Sequence, residues 1–366
     1  MRGNMAQISR LPHYAGLTLL LLAFTPGAVH AASAEDDWKV EWVVPFQPGG
    51  GTDIWARYLA ARLQDELRDT ASIHIRNIPG GGSTKGANYF HGRAQSDGSM
   101  LFSATASTQI AHLLGDRRVQ YDYSDWQVLA ASGSGGVVYV SSETGILGPE
   151  EIAKLKGRSL KFGSIGAATL DMVPLLAFEM LGLDVKVVFG MSSRGAARLG
   201  LERGEFEIDY QTSSAYLTEV LPLIKAGKAV PLMSWGVLDK TGKVVRDPSF
   251  PELPTFVEVY EQVHGQPPSG AMWEAWSAAF KIGYSAHKML FMPKGTSEEV
   301  AEIYKAALSR IAMDEAFQEK SRDATGAYSL VVGKEAEALL KLGTTMDRPI
   351  REWFLSWLKK RFEVTP

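Results

Sequence analysis

The run Val44-Pro45-Phe46-Gln47-Pro48-Gly49-Gly50-Gly51-Thr52-Asp53 decides how the rest of this chain is read. Ahead of it, Val40, Trp42 and Val44 share one face of a strand that ends at Pro45. Behind it, Trp55, Tyr58, Leu59, Leu63 and Leu67 recur at helical spacing, with Asp53 placed to cap the helix. A glycine turn between a strand and a helix lets backbone N–H groups approach a ligand closely, and the helix aims its positive end at the same place. A carboxylate held there gains roughly 0.3–1 kcal/mol from the helix dipole, before hydrogen bonds are counted. Taken alone, the loop is explained equally well as a tight turn capped by Asp53.

A second glycine turn, Asn77-Ile78-Pro79-Gly80-Gly81-Gly82-Ser83-Thr84-Lys85-Gly86, follows a second strand at 72–76. Loops after successive parallel strands open at the same C-terminal edge, where open α/β folds bind their ligands. Two such loops at one edge make a site, and an anion is its natural guest. Neither loop is a nucleotide fingerprint: Lys85 precedes Gly86, and neither contains G-x-G-x-x-G.

Outward from these loops, short apolar runs alternate with amphipathic stretches, the pattern of βαβ units and a largely parallel sheet. Strands are expected at 100–104 and 137–140. After Gly148 the alternation resumes with a helix from Pro149, a strand at 160–162, a helix at 170–181 and a strand at 185–189. Arg203-Gly204 and Ala226-Gly227 have the form of helix stops. Residues 237–270 are expected as loop with little regular structure, followed by a return rich in tryptophan (Trp273, Trp276). Ser297 is placed to cap a helix through Ile303 and Leu308. Trp353, Phe354, Trp357 and Leu358 predict a last helix packed by one face on the first lobe, its Lys359, Lys360 and Arg361 suiting the C-terminal dipole.

The first residues read as an address. Arg2 and Arg10 precede the apolar run LTLLLLAF at 17–24, and small residues follow at Ala28, Ala31, Ala32 and Ala34. This is the pattern of a secretory signal peptide, with cleavage expected between Ala31 and Glu35. No later apolar run reaches the ~20 residues of a spanning helix, so direct membrane insertion is not expected. The chain has no cysteine, hence no disulfide, thiolate metal site or N-terminal lipid. Past the signal, 36 basic residues (38 less Arg2 and Arg10) face 41 acidic ones, a balance that gives no footing for nucleic-acid binding. The remaining ~330 residues exceed what one core usually holds, so two domains are expected. There is no G-x-S-x-G, no H-E-x-x-H, and no pair among the seven histidines at metal-ligand spacing. Neither a catalytic residue, a metal nor a cofactor is therefore expected.

Pro45, Phe46, Pro48, Gly49, Gly50, Asp53 and Arg57 stand in the spacing P-F-x-P-G-G-x-x-D-x-x-x-R. That spacing resembles the first signature of the tripartite tricarboxylate transporter substrate-binding proteins, the Bug receptors. Asn77, Pro79, Gly80, Gly82 and Gly86 are similar to that family's second signature, N-x-P-G-x-G-x-x-x-G. Asp97-Gly98-Ser99-Met100-Leu101-Phe102, Tyr121-Asp122-Tyr123-Ser124-Asp125-Trp126, Gly163-Ser164-Ile165-Gly166 and Ile224-Lys225-Ala226-Gly227-Lys228 fall in the family's order. Gln109-Ile110 stands where the family shows N-P, and Met191-Ser192-Ser193-Arg194-Gly195 replaces its Y-K-G.

The resemblance implies an α/β clamshell, a two-lobed periplasmic-binding-protein fold of Venus-flytrap, type II-like form, with mixed, mainly parallel sheets. It implies a signal at 1–34, a first lobe from 35–140 plus 281–366, and a second lobe at 141–280. The ligand, a small di- or tricarboxylate or an aromatic acid, is expected at Phe46, Gly50, Gly51, Thr52 and Asp53. Gly81, Gly82, Ser83, Thr105 and Ser107 join them on the same lobe. Ser164, Ile165, Gly166, Thr169, Thr212 and Ser213 face them from the other, with Arg194 a candidate anion partner. The expected protein is a periplasmic monomer that serves membrane transporter subunits. A receptor for a two-component sensor, or an envelope enzyme on the same fold, are the alternatives.

Overall fold

In the computed structural model, which describes residues 38–68 and 70–366, β1 (Trp38–Val44) is buried on both faces over its second half, from Trp42 to Val44. Val40, Trp42 and Val44 enter one core and Val43 the opposite one, as alternating strand side chains must. The glycine turn leads into α1 (Gly51–Glu66), whose Trp55, Leu59 and Leu63 cover the first of these faces. β2 (Ala71–Asn77) and β3 (Met100–Thr105) pair parallel with β1 on its two sides. They are joined through α2 (Thr84–Arg93), which closes the other face with Ala87 and Phe90. After α3 (Ala106–Leu114) comes β4 (Trp126–Ser132), a strand that the sequence pattern does not reveal. Its Trp126 packs on Phe90, Phe102 and Tyr121, all with ring centroids 5.2–5.3 Å away.

Residues 133–135 then carry the chain to a second sheet system. β5 (Gly136–Ser141), β6 (Ser159–Ser164), α4 (Met172–Met180), β7 (Asp184–Phe189), α5 (Arg194–Glu202) and β8 (Ile208–Thr212) follow in order. Next come the short α6 (Ser213–Ala215) and α7 (Leu221–Lys225), then β9 (Ala229–Ser234). β5 lies antiparallel between β8 and β9, while β6 and β7 form a parallel pair. The helix expected from Pro149 is a 3₁₀ turn, Pro149–Leu155.

The stretch expected as loop is more regular than its composition indicates. It holds a hairpin, β10 (Val237–Leu238) with β11 (Val244–Val245), and α8 (Phe256–His264). A reciprocal cap starts α8: Thr255 Oγ1 accepts from Glu258 N at 3.1 Å, and Glu258 Oε2 accepts from Thr255 N at 2.7 Å. Trp273 and Trp276 belong to α9 (Ala271–Phe280), three residues apart, so their rings stack at 5.2 Å.

β12 (Lys288–Pro293) brings the chain back, inserted antiparallel between β3 and β4. α10 (Glu298–Met313), capped by Ser297, and α11 (Glu315–Thr325) precede β13 (Val331–Val332) at the sheet edge. α12 (Gly333–Gly343) and α13 (Arg348–Phe362) end the fold. The order β13-β4-β12-β3-β1-β2 makes a mixed sheet in which β1 to β4 run one way and β12 and β13 the other. Where the two crossing segments meet, Ser134 N donates to Tyr284 O at 2.9 Å. The last helix packs on the first lobe as expected and beyond it: Phe354, Trp357 and Leu358 enter the core shared by α3, α4 and α9, Arg351 Nε donates to Leu113 O on α3 at 2.8 Å, and Trp357 Nε1 donates to Glu179 Oε2 at 3.1 Å. Its apolar face thus meets elements on both sides, a division that sequence spacing cannot specify. No helix among the described residues is long and apolar enough to cross a membrane. The signal segment lies outside the described residues.

Candidate functional site

The two glycine loops are tied together from beneath. The residue capping α1 is Gly50, and no side chain caps that end. Asp53, expected as the cap, lies in the first turn and is almost fully buried. Its carboxylate accepts from Gly49 N at 3.0 Å, Arg57 Nε at 3.0 Å and Asn77 Nδ2 at 2.8 Å. Asn77 Nδ2 also donates to Phe46 O at 2.8 Å, so a residue of the second loop holds the first. The loops approach so closely at Gly86 that a Cβ there would lie 2.8 Å from Pro45 Cα and from Ile78 O. These contacts give Asp53 a scaffold position, off the cavity wall.

Above the first loop, between the two sheet systems, lies a cavity of about 30 Å³, enough for roughly two waters. Of the expected residues, Phe46, Gly50, Gly51, Thr52, Thr105, Ser107, Ile165, Arg194 and Thr212 line it. Leu170, Ser193, Tyr210, His287 and Lys288 line it too, and the sequence reading passes over them. The uncapped N-terminus of α1 opens on this space, with the first-turn N–H groups that no helix can satisfy internally. Thr105 starts α3 in a reciprocal cap with Thr108, whose Oγ1 accepts from Thr105 N at 3.3 Å, and its own Oγ1 is buried in the wall. Lys288, the first residue of β12, lies opposite Thr105 in the sheet, and its Nζ donates to Thr52 Oγ1 at 3.0 Å. It is 2% exposed, and burial holds its pKa well below the ordinary lysine range. His287, also buried, has the Gly283 backbone as its one polar neighbour, short of full hydrogen-bonding geometry, and stacks on Tyr284 at 5.9 Å. Burial, and next the Lys288 charge, hold the imidazole pKa well below its usual value.

The opposite wall is built on Asp171, which is 0% exposed. Its carboxylate accepts from Ser164 Oγ at 2.8 Å, Ile165 N at 2.7 Å, Tyr210 OH at 2.6 Å and Arg194 Nη1 at 3.4 Å. The Arg194 guanidinium also pairs with Asp209, donates to Gly163 O at 2.6 Å and lies over the Tyr210 ring at 4.3 Å. It is thus neither a solvated loop arginine nor a free anion partner, because its donors are already committed. Ser164 is likewise spent on Asp171. Ser213 accepts from Gly135 N at 3.0 Å and lies 2.9 Å from Tyr328 OH, which donates to buried Asp247. Burial pushes the Asp247 carboxyl pKa up.

Contacts close the cavity from side to side. Ser214 Oγ donates to Gly51 O at 2.8 Å, and Ser107 Oγ accepts from Leu170 N at 3.2 Å. A Cβ on Gly51 would sit 2.0 Å from Thr212 Oγ1, so only glycine admits this approach. The second glycine loop faces elsewhere. Gly82, Gly166 and Thr169 line a separate outer cleft with Arg117, where a Cβ on Gly82 would meet Thr169 Cγ2 at 2.8 Å. Ser83 is buried with its Oγ 3.0 Å from Thr108 Oγ1, and Gly81 O accepts from Thr84 Oγ1 at 2.9 Å. Neither lines the inner cavity. One signal for Lys288 was present in the sequence: it opens the run Lys288-Met289-Leu290-Phe291-Met292, a charge at the head of an otherwise apolar strand.

No family model matches the chain. Over 319 residues it is 25% identical to the UPF0065 protein in the tcbD-tcbE intergenic region of Pseudomonas sp., covering 84% of this chain and 83% of that protein. A shorter stretch, 72 residues or 20% of this chain and 21% of the relative, is 35% identical to Protein BugT of Bordetella pertussis. Among solved structures, an R. palustris protein determined with adipate has a TM-score of 0.67 at 19% identity, covering 90% of this chain and 98% of that one. The periplasmic binding protein BugD has a TM-score of 0.66 at 18% identity, covering 88% and 97%. The fold is therefore that of the periplasmic binding proteins. Over that short stretch the chain is similar to BugT, and it shares its fold with the periplasmic binding protein BugD.

Proposed function

We propose that this protein is an exported, periplasmic solute-binding protein that captures a small carboxylate between its two sheet systems and delivers it to a tripartite tricarboxylate-type transporter. The observation that carries the reading is the uncapped N-terminus of α1, which opens on a cavity shared by both sheet systems. Positive helix ends of this kind hold carboxylates through backbone N–H groups. Thr105 and Thr212 add hydroxyls that suit an acceptor oxygen. The likeness to Bug-type proteins and to a structure solved with adipate supports the same ligand class.

In this reading the sheet systems are the two lobes, joined where Ser134 meets Tyr284. The lobe boundaries then fall near 135 and 286, slightly off the 140 and 280 expected from sequence. A cavity with room for about two waters is smaller than a dicarboxylate. The lobes must part at Ser214–Gly51 and Ser107–Leu170 to admit one, and the closed, loaded form is what a membrane partner would recognise. Calorimetry and thermal-shift titration with adipate, succinate, citrate and benzoate test this against neutral sugars and amines. Saturable binding of an acid supports it, whereas binding of sugars or amines alone overturns it.

A further inference from the structure

Lys288 lies in an environment that a cation should avoid. Its Nζ sits at Thr52, in the first turn of α1, where the helix presents its positive end. It is 2% exposed, and among the described residues no carboxylate lies within salt-bridge distance of it. The neighbouring charges are accounted for on every side. On α1, the Asp53 carboxylate is taken by Gly49 N, Arg57 and Asn77. Thr105 and Ser132, its partners on β3 and β4, are uncharged. Across the cavity, Arg194 is paired with Asp171 and Asp209, and Tyr210 OH donates to Asp171. His287 beside it on the chain is buried, with the Gly283 backbone as its polar neighbour and no carboxylate partner. The site therefore holds a cation and a helix N-terminus converging on one space, with every nearby anion already bound elsewhere.

We propose that Lys288 is the charge-reading residue of the site: its ammonium pairs with a carboxylate seated at the N-terminus of α1, and this pairing is what selects an anion over a neutral molecule of the same shape. The inference rests on the carboxylate reading above and extends it to one side chain and one proton. Burial favours the neutral amine when the cavity holds no anion, and a bound carboxylate restores the charged form. Binding is then coupled to proton uptake at Lys288, the bond formed being N–H⁺ to carboxylate with the proton drawn from solvent. In the pH range where the amine is neutral before binding and charged after it, affinity falls by up to about tenfold per unit rise in pH.

The test uses adipate and succinate, with adipamide as the uncharged counterpart of adipate, on the wild-type protein and on Lys288→Met and Lys288→Arg. Calorimetry in two buffers of different ionisation enthalpy reads proton uptake directly on the wild type, independently of whether any variant folds. The expected result is proton uptake on binding an acid, affinity that rises as pH falls, no binding of adipamide, and at least a hundredfold loss in Lys288→Met that Lys288→Arg partly restores. Acid binding with no buffer dependence, or unchanged in a folded Lys288→Met protein, overturns the role of Lys288 and leaves the carboxylate reading standing. Binding of adipamide as tightly as adipate overturns the charge-reading role in the same way. Failure of every acid in the wild type overturns the carboxylate reading, and the role of Lys288 with it.

Discussion

Arg194 and Lys288 face one cavity from its two sides, and the protein treats these two buried cations in opposite ways. Arg194 is enclosed by Asp171, Asp209, a backbone carbonyl and an aromatic face. Its planar fork is satisfied before any ligand arrives, so it behaves as part of the wall. Lys288 has one hydroxyl for a partner and the positive end of a helix for a neighbour. A charge buried with its partners adds rigidity, whereas a charge buried without them costs stability and creates demand for a counter-ion. The contrast separates the residue that shapes the cavity from the one that awaits something in it.

Removing a partner from the satisfied side should produce the largest effect. Asp209→Ala leaves the Arg194 guanidinium short of one carboxylate and Tyr139 OH without its acceptor, and should cost about 3–5 kcal/mol in urea unfolding. On the unsatisfied side the sign reverses. Lys288→Met should stabilise the ligand-free protein by about 2 kcal/mol, because it removes an amine whose ionised form burial disfavours while keeping the volume. The pH dependence follows from the direction of the shift. Burial lowers the pKa of Lys288 in the folded protein, so the unfolded chain binds more protons there, and wild-type stability should rise with pH up to the unfolded lysine value near about 10.4. The advantage of Lys288→Met should be greatest at low pH and shrink as pH rises, which melting curves across pH 6 to 10 would show. A variant no more stable than wild type at any pH would break the comparison.

Smaller effects sharpen the closure argument. Gly51→Ala drives a methyl into Thr212 Oγ1 and should oppose closure by about 1–2 kcal/mol, seen as roughly tenfold weaker ligand binding with little change in melting temperature. Asn77→Ala unties the two loops and should cost about 1 kcal/mol of stability.

The parts of the site that were legible in sequence are those whose role is local. A glycine turn between strand and helix is readable because period and backbone freedom are written in adjacent residues, and the structure places Phe46, Gly50, Gly51 and Thr52 on the cavity wall. Gly82, Gly166 and Thr169 belong to loops recognised correctly, yet they face an outer cleft, because which face a loop shows depends on what packs behind it. Ser164 has the right chemistry and the right neighbourhood, but Asp171 claims its hydroxyl. α8 and α9 escaped notice since proline and polar residues near 237–270 masked a capping box and a helical tryptophan pair.

The amino-acid sequence by itself determined an α/β chain with two glycine turns following two strands, and a likeness to the signatures of the tripartite tricarboxylate transporter substrate-binding proteins, because periodicity, turn chemistry and motif spacing act over a few residues at a time. Only the tertiary structure decided that Asp53 is scaffold, that Arg194 is wall, and that Lys288 meets Thr52 across 236 residues of chain. The physical reason is that solvation and pairing of a charge are set by whatever the fold brings around it. A lysine at the head of an apolar strand becomes a ligand's counter-ion only once both sheet systems have enclosed it.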